Sequence, residues 1–307
     1  MPHLLNTMNA TLEYPLAQAI GHSRACYHLE NRSTRSHALI RKILRLSGFY
    51  RRGQRNIMDF KICRNILMLP RLPAAFDGLT LLHLSDLHLD AHTDFPAALA
   101  TKLMGLEYDL CVLTGDYRFL AHGPIEPALD GLRRVREAIH GPIYGVLGNH
   151  DSSHMLPALA AMNIHILMNE AVALRRKDTV LWLAGIDDPY HHRTNNLRKA
   201  SDPIPADATA ILLAHSPEIY HHAAQAGFDA LLCGHTHGGQ ICLPGGIPLT
   251  YNTTAPRHVC RGPWQHQQMQ GYTSCGSGSS IVDARFNCRP EITLHRLQSN
   301  HAAARSL

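Results

Sequence analysis

The sequence predicts an α/β sandwich in which two packed, mixed β-sheets are flanked by helices. In the first half, short apolar runs typical of buried strands alternate with amphipathic helical stretches, and the second half is rich in extended segments. A chain of 307 residues with 45% hydrophobic content can fill one large core and carry a short extension. We therefore predict one domain over residues 56–300, an N-terminal extension over 1–55 and a tail over 301–307.

The extension has little pattern until about residue 37, where an amphipathic helix is predicted over 37–50. Its apolar residues at helical spacing are Leu39, Ile40, Ile43, Leu44 and Leu46, and its intervening cations are Arg41, Lys42 and Arg45. Two interpretations remain open: the apolar stripe docks on the domain, or the helix contacts an anionic membrane. Docking on the domain is the preferred interpretation.

The domain begins with a β-α-β-α-β series and continues with hairpins and further strands. The strands predicted in the first part lie at 56–69, 79–85, 110–114 and 143–147, and the helices at 95–106, 126–140 and 153–162. Extended segments are then predicted at 165–168, 171–174, 180–185, 210–214, 230–233, 239–243, 272–275 and 292–297, with a charged turn at 175–178 and a helix at 217–227.

Composition limits the partners and the compartment. The formal net charge is +5, and most of the excess cations lie in the first third, so a nucleic-acid groove along the whole protein is not indicated. The eight cysteines contain no Cys-x-x-Cys pair and are predicted to be buried thiols. No signal peptide or apolar run near 20 residues is visible. We expect a cytoplasmic protein, or one peripheral on the inner membrane if the basic helix binds lipid.

Five polar blocks each follow a predicted buried strand. They are Asp86-Leu87-His88, Gly115-Asp116, Gly148-Asn149-His150-Asp151, His215 and Gly234-His235-Thr236-His237. Each block alone is more often a turn or a satisfied histidine, but strand ends of an open α/β sheet meet at one edge, and the joint order favours a common site. The spacing of Asp86 and His88 on an extended strand end would direct both side chains the same way, and His235 and His237 repeat it.

These residue types suit two divalent metal ions. Carboxylate, amide oxygen and imidazole together favour manganese, with iron or zinc as alternatives. With Asp116 placed to be shared, two ions could hold a phosphoryl group while a metal-bound hydroxide attacks in line. The blocks therefore predict a hydrolase of phosphate esters.

The order of the blocks resembles the calcineurin-like metallophosphoesterase superfamily over about residues 79–240. The resemblance implies that one ion is bound by Asp86, His88 and His237, that the other is bound by Asn149, His215 and His235, and that Asp116 bridges the two. It also implies that His150 contacts the phosphate and assists the leaving oxygen without binding metal, and that Asp151 orients the His150 ring.

Segments outside the ligands are similar to a bacterial phosphodiesterase branch that contains YkuE and YaeI. They lie at 72–78, 185–189, 238–240, 285–286 and 290–291. The branch also resembles enzymes that cleave UDP-2,3-diacylglucosamine in lipid A synthesis. A phosphodiester or pyrophosphate substrate is therefore expected, with a lipid-linked nucleotide as one alternative. A non-enzymatic scaffold is the alternative of another class, although such relatives tend to lose ligands.

Several neighbouring residues have both a structural and a functional interpretation. The structural one is preferred for Arg118 (exposed cation, or phosphate contact), Asp187 and Asp188 (solvated turn, or substrate contact), His191 and His192 (surface, or rim of the site) and Gly276-Ser277-Gly278 (flexible turn, or anion-binding nest). For Gly238 and Gly239 a β-turn and a close approach of substrate are equally favoured.

Overall fold

The computed structural model describes residues 38–280 and 282–299. Its helices are α1 (38–46), α2 (Tyr50–Asn56), α3 (Phe95–Leu103), α4 (Glu126–Glu137), α5 (Leu156–Ala161), α6 (Leu197–Ser201) and α7 (Tyr220–Gln225). Its strands are β1 (Lys61–Met68), β2 (Thr80–Leu84), β3 (Leu110–Thr114), β4 (Ile143–Val146), β5 (Ile164–Ile166), β6 (Glu170–Arg176), β7 (Thr179–Gly185), β8 (Ala210–Leu213), β9 (Ala230–Cys233), β10 (Cys242–Leu243), β11 (Ile247–Pro248), β12 (Gly262–His266), β13 (Met269–Thr273) and β14 (Glu291–Gln298). The predicted tail and the first 37 residues of the extension lie outside the described residues.

Two six-stranded mixed sheets form the centre of the fold. One has the strand order β1-β14-β2-β3-β4-β5 and the other β12-β13-β9-β8-β7-β6, while β10 and β11 form a separate hairpin. Antiparallel pairing occurs between β14 and β2, between β12 and β13, and between β6 and β7, and the other pairs within the large sheets are parallel. The predicted α/β sandwich is confirmed.

The apolar side chains separate into three layers, as alternation along buried strands requires. Leu81 and Val112 of one sheet meet Leu183 and Leu213 of the other in the layer between the sheets. The opposite faces are covered by helices. Leu84 and Leu113 pack with Leu99 of α3 and Leu132 of α4, and Leu212 and Leu231 pack with Ala223 of α7. Helices therefore close both outer faces of the sandwich.

The predicted hairpin over 171–185 is formed by β6 and β7, and parallel crossovers follow from β7 to β8 and from β8 to β9. The second half differs from the prediction elsewhere, since helix α6 was not predicted. The segment predicted as extended at 239–243 begins as a 3-10 turn over His237–Gly239 and is a strand only at Cys242–Leu243. Strand β12 was not predicted, and the indole of its Trp264 donates a hydrogen bond to Thr273 at 2.9 Å.

The end of the extension packs on the domain. Helix α2 crosses the boundary predicted after residue 55, and a Cβ on its Gly53 would come within 2.6 Å of the Cβ of Ala284. The side chain of Gln54 donates to Asp283 at 2.9 Å, and that of Asn56 donates to the carbonyl of Arg285 at 2.8 Å. These contacts fix α2 against the segment 282–286.

The apolar stripe of helix α1 is only partly shielded from solvent. Ile40 and Leu44 are half-buried, whereas Leu39, Ile43 and Leu46 are exposed. The preferred interpretation of a docked helix therefore describes only part of the stripe. Among the described residues, no helix has both the length and the apolar character needed to span a bilayer.

The cysteines in the described part of the chain are free thiols, as predicted. Cys63 is half-buried and the other six are buried: Cys111, Cys233, Cys242, Cys260, Cys275 and Cys288.

A chain of hydrogen-bonded polar side chains runs across four neighbouring strands of one sheet, β1, β14, β2 and β3. The ring of His83 contacts Thr114 Oγ1 through Nε2 at 2.9 Å and His295 Nε2 through Nδ1 at 3.1 Å. The other nitrogen of His295 contacts the amide of Asn65 at 3.0 Å. Burial lowers the pKa of His83 to about 3, so its imidazole is neutral in the folded protein.

The neutral His83 is expected to make the protein less stable in acid. Its pKa is lower in the folded than in the unfolded state, so the unfolded chain binds the extra proton below about pH 6.5. The contribution of neutral His83 to the free energy of unfolding is fully present above that pH and is lost progressively as the pH falls toward 3. At about pH 5 the loss from this residue should be on the order of 2 kcal/mol. Urea unfolding of chelator-treated protein between about pH 7.5 and 5 measures it. His83→Gln should give a shallower pH slope, and an unchanged slope would contradict the assignment.

Candidate metal centre

The five polar blocks converge at one edge of the sandwich. They follow β2, β3, β4, β8 and β9, which are neighbouring strands within their respective sheets. The loops after β2 and β3 run side by side, because the N–H groups of Asp86 and His88 each donate at 3.0 Å to the carbonyls of Gly115 and Asp116. Because the strand ends converge, potential metal ligands from both sheets lie close together.

The side chains form two groups of donor atoms. One contains Asp86, His88 and His237, the other contains Asp116, His215 and His235, and within each group the donor atoms lie within 4.8 Å of one another. The amide oxygen of Asn149 lies 3.0 Å from His215 Nε2 and so adjoins the second group. The structure thus brings together the residues that the resemblance assigns to each ion, and Asp116 belongs to the second group by this distance.

The carboxylate of Asp116 lies between the two groups. Its Oδ2 atom is 3.7 Å from His88 Nε2 in the first group and 3.4 Å from His215 Nε2 in the second. The same oxygen is 3.9 Å from Nε2 of His150. A carboxylate in this position can contact an ion in either group, as a bridging ligand must.

The backbone brings the ligands together by a route that differs from the predicted one. Asp86 and His88 have φ values of +52° and +43°, so they lie in a left-handed turn after β2 rather than on an extended strand end. Asp116, His235 and His237 also have positive φ, at +56°, +68° and +50°. Left-handed conformations are unfavourable for residues with a Cβ and persist only where the surroundings hold them. Alternation along a strand is therefore not the reason for the Asp-x-His and His-x-His spacing.

Close packing holds the Asp86 carboxylate in place. Its Oδ2 accepts from the Ser85 hydroxyl at 2.6 Å and from the His235 N–H at 3.0 Å, and its Oδ1 lies 3.4 Å from His237 Nε2. A Cβ on Gly234 would collide with the side chains of Ser85 and Asp86. Only glycine fits at position 234 with this arrangement.

Backbone carbonyls set the orientation of four of the histidine rings. The Nδ1 atoms of His88, His150 and His215 face the carbonyls of Arg118, Phe119 and Thr114 at 2.7, 2.6 and 2.7 Å. His235 contacts the carbonyl of Asn252 through Nε2 at 2.9 Å instead. In the ligand candidates His88, His215 and His235, a proton on the nitrogen that faces the carbonyl leaves the other nitrogen as a lone-pair donor toward the site.

The electrostatics of the site fit a pair of cations. Burial raises the pKa of Asp86 to about 6 and lowers that of His88 to about 3. Burial also holds the pKa of His235 and His237 well below the usual value. Burial opposes charge on Asp116 and His215 as well, but their mutual attraction holds the pKa of Asp116 well below and that of His215 well above the usual value. His88, His235 and His237 are therefore neutral, as metal ligands must be, whereas His215 has to release a proton when a divalent ion binds.

Asp151 has partners other than the predicted ones. Its carboxylate accepts from the N–H groups of Asp116, Tyr117 and Gly148, each at 2.8 Å, whereas the His150 ring contacts the Phe119 carbonyl. The prediction that Asp151 orients the His150 ring is thus not matched by the contacts. Burial and the neighbouring Asp116 raise the pKa of Asp151 to about 7. Asp151 instead fixes the backbone that carries Asp116.

His150 lies at the edge of the site. Its backbone N–H donates to Asp116 Oδ1 at 2.9 Å, which anchors the residue to the central carboxylate. Its side chain remains 21% exposed, in contrast to the buried rings of His88 and His215. His150 is therefore accessible to solvent while its Nε2 lies 3.9 Å from the central carboxylate.

Several preferred structural interpretations are wrong. Arg118 is buried, and its guanidinium donates to the carbonyl of Gly123 at 3.0 Å. Asp188 is buried as well, and its carboxylate accepts from the N–H groups of His191 and His192 at 2.7 and 2.6 Å. The Asp188 carboxylate therefore fixes the backbone of the loop over 188–192, which contains both histidines.

The two histidines of that loop reach the second group of ligands. The ring of His191 lies against that of His235, with 5.4 Å between centroids. His192 is exposed, but its Nε2 contacts the carbonyl of Asn149 at 3.1 Å. Both residues thus belong to the rim of the site rather than to a remote surface.

Residues 276–278 form neither a flexible turn nor an open nest. The N–H groups of Ser277 and Gly278 donate to the carbonyls of Ser85 and Asp86 at 2.8 and 2.9 Å. That of Gly276 donates to Ser274 Oγ at 3.0 Å. Because their N–H groups are already bonded, the three residues support the Asp86 turn and offer no donors to an anion.

Arg285 is a supporting residue that the sequence did not mark with a role. Its fully buried guanidinium donates to the carbonyls of Cys275 and Gly278 at 2.7 and 2.6 Å and lies 3.3 Å from His237 Nδ1. It therefore joins the 275–278 segment to a metal-ligand candidate. The only available signal was its place in the 285–286 segment of the narrower resemblance.

Comparison with known proteins agrees with this geometry. The family described as calcineurin-like phosphoesterase matches residues 79–239. The metallophosphoesterase YkoQ of Bacillus subtilis is 30% identical over 83% of this chain and 97% of its own length. The phosphodiesterase YaeI of Escherichia coli is 28% identical over 71% of this chain and 81% of its own length. The UDP-2,3-diacylglucosamine pyrophosphatase LpxG of Chlamydia trachomatis is 24% identical over 57% of this chain and 68% of its own length. The predicted superfamily and bacterial branch are confirmed.

Proposed function

Since the chain belongs to the calcineurin-like phosphoesterase family, we propose that it is a dinuclear metal-dependent hydrolase of phosphodiester or pyrophosphate bonds. The observation that carries the proposal is the pair of donor groups with the Asp116 carboxylate between them. A scaffold that had lost catalysis would not need this complete set of ligands around a shared carboxylate. The proposal thus covers both the class of reaction and the binding of two metal ions.

In this proposal one ion would be held by Asp86, His88 and His237, the other would be held by Asn149, His215 and His235, and Asp116 would be shared. Two divalent ions, when bound, neutralise charge on the phosphoryl group and favour attack by an ionised water. The mixed nitrogen and oxygen donors suit manganese best, with iron or zinc as alternatives. Asp151 and Arg285 keep the ligand loops in place through the backbone contacts described above.

His150 is proposed to act on the substrate rather than on a metal. Its Nδ1 faces the Phe119 carbonyl and its Nε2 lies beside Asp116, so the imidazolium form of the ring would present an Nε2–H to the site. From there it can donate to a phosphoryl oxygen or to the leaving oxygen. The partly exposed ring leaves room for that contact.

Removal of metal tests the reaction class directly. Purified protein reconstituted with Mn²⁺ is expected to hydrolyse bis-p-nitrophenyl phosphate, and dialysis against a chelator should abolish turnover until Mn²⁺ is restored. Metal content measures the binding of Mn²⁺, and released p-nitrophenol measures hydrolysis, so the two are followed independently. A metal-loaded protein that is inert on all phosphate esters yet binds a protein partner would support the scaffold alternative instead.

A lipid-linked nucleotide is the second candidate for the substrate. It is supported by the similarity to LpxG, whose name states that it acts on UDP-2,3-diacylglucosamine. Metal-reconstituted protein should be screened against that compound, cyclic nucleotides, single-stranded DNA and phosphopeptides. Preferential cleavage of the lipid-linked pyrophosphate would support the candidate, and preference for any other class would reject it.

Peripheral contact with an anionic membrane is part of the same proposal. Helix α1 exposes Leu39, Ile43 and Leu46, and the exposed cations of α1 and α2 are Lys42, Arg45, Arg51, Arg52 and Arg55. No acidic residue occurs between positions 38 and 58. Exposed apolar and basic side chains on one short segment are typical of binding to anionic lipid, as on a cytoplasmic leaflet.

Liposome sedimentation tests the membrane contact. The double variant Ile43→Ser/Leu46→Ser is expected to lose at least about 10-fold in partitioning to anionic vesicles, because two apolar side chains no longer enter the interface. Ile66→Ser is the matched control, since Ile66 is about as exposed but lies on the edge strand β1. Equal partitioning of all three proteins would remove the support for this contact.

A further inference from the structure

An apolar cavity adjoins the metal-ligand candidates. Its volume is about 140 Å³, and Asp116, His150 and His237 are among its lining residues. Its apolar lining consists of Ile40 of α1 together with Ile241, Leu249 and Val282, and its remaining lining consists of His235, Thr236, Gly239, Gln240, Thr250, Asn252 and Ser280. The cavity is therefore bounded by the ligand candidates, by α1 and by segments that follow the last ligand block.

We propose that this cavity binds an alkyl or acyl chain attached to the phosphoester, so that the preferred substrates are amphiphilic. The inference rests on the proposed hydrolase function and names the chemistry of one substituent. The occupant is a single apolar chain, and its phosphoryl group is at the ligand groups. A polar nucleobase or sugar is not expected in this cavity.

The side-chain amide of Gln240 lines the cavity, but its hydrogen-bonding atoms are already occupied by the backbone. The amide nitrogen of Gln240 donates to the carbonyls of Ser280 and Val282 at 2.8 Å each. Its amide oxygen accepts from the Ser280 N–H at 2.8 Å. Because these bonds use its polar atoms within the wall, Gln240 offers little to a polar ligand. A sugar or base placed there would lose hydrogen bonds to water without replacing them.

Exposed apolar side chains next to the cavity could receive the rest of a long alkyl chain. Leu249 lines the cavity and is 60% exposed, and Leu39 and Ile43 are exposed on the helix that contributes Ile40. A chain longer than the cavity would thus pass onto apolar side chains rather than into water. The exposed cations of α1 and α2 would face anionic lipid around it.

The first experiment measures binding without turnover. Alkyl phosphonates of increasing chain length are titrated by calorimetry into Mn²⁺-loaded protein, below the concentration at which each forms micelles. Affinity is expected to rise about fourfold for each buried methylene and to level off once the cavity is full. Leu249→Ser should flatten this dependence, whereas Ile66→Ser, which is remote from the cavity, should retain it.

The second experiment uses p-nitrophenyl alkyl phosphates of the same chain lengths. Wild-type kcat/KM should rise with chain length, and Leu249→Ser should lose this rise while still cleaving the methyl ester. Hydrolysis that is independent of chain length, with phosphonate affinity also independent of it, would overturn the cavity assignment and leave the hydrolase proposal intact. Chain-length-dependent binding without cleavage of any ester would reject the hydrolase proposal instead.

Discussion

Replacing Asp116 by asparagine is expected to impair the loading of both metal ions. The Oδ2 atom of Asp116 lies within 4 Å of imidazoles from both donor groups, and the charged carboxylate is favoured there by His215 and His150 despite its burial. Asparagine retains an oxygen that can accept from the His150 N–H but has no negative charge to share. Loss of a residue that merely orients a ligand weakens metal affinity by about 10- to 100-fold, so loss of a shared ligand should exceed about 100-fold.

Metal content after gel filtration, measured by mass spectrometry, tests this expectation. Asp130→Asn is the matched control, because Asp130 is an exposed carboxylate on α4 that pairs with Arg133. Circular dichroism should show that both variants are folded. Two fully occupied sites in Asp116→Asn would contradict the shared-ligand assignment, and the loss of one ion alone would assign Asp116 to one group.

Much of the fold follows from short-range patterns. Strands β3 and β9 were predicted to the residue, and helices α3 and α4 were placed with their ends a few residues too long, because continuous apolar runs and helical spacing are strong local signals. Strand β12 was missed because Gly262-Pro263 reads as a turn and only Trp264 within the strand is buried. It pairs with β13 in a hairpin whose two turn residues, Gln267 and Gln268, lack the Asn-Gly or Asp-Gly signal of such turns.

The ligand residues were predictable for a different reason. Five polar blocks at the ends of buried strands must meet if the strands share an edge, whatever the detailed backbone path. The path itself was predicted wrongly, because the left-handed conformation of Asp86 and His88 is imposed by hydrogen bonds to the neighbouring loop. No pattern within three residues encodes such an interaction.

Supporting residues were the hardest to predict. Asp188 before Pro189 has the composition of a solvated turn, yet its carboxylate is buried and binds two N–H groups of the following residues. Arg285 is the largest fully buried side chain among the residues that the structure describes, and its partners are carbonyls 7 to 10 positions earlier in the chain. Charged residues are exposed in most contexts, so sequence favours the surface unless their partners are known.

Replacing His150 by alanine is expected to lower turnover by at least about 100-fold while both ions remain bound. The ring is outside both donor groups, and the backbone N–H that anchors the residue to Asp116 is retained in the variant. His154→Ala is the control, because His154 is an exposed histidine one turn further along the chain. Metal content and kcat are measured on the same preparations. Near-normal kcat with full metal content would reject the assigned role.

The leaving group distinguishes two ways in which His150 could act. If Nε2 donates a proton to the leaving oxygen, the loss in His150→Ala should be larger for an alkyl leaving group than for p-nitrophenolate, which departs without protonation. If the ring stabilises charge on a non-bridging phosphoryl oxygen, the loss should be similar for both substrates. The 3.9 Å separation between Nε2 and Asp116 Oδ2 places the ring beside the shared ligand. The comparison of the two substrates therefore decides between the two roles.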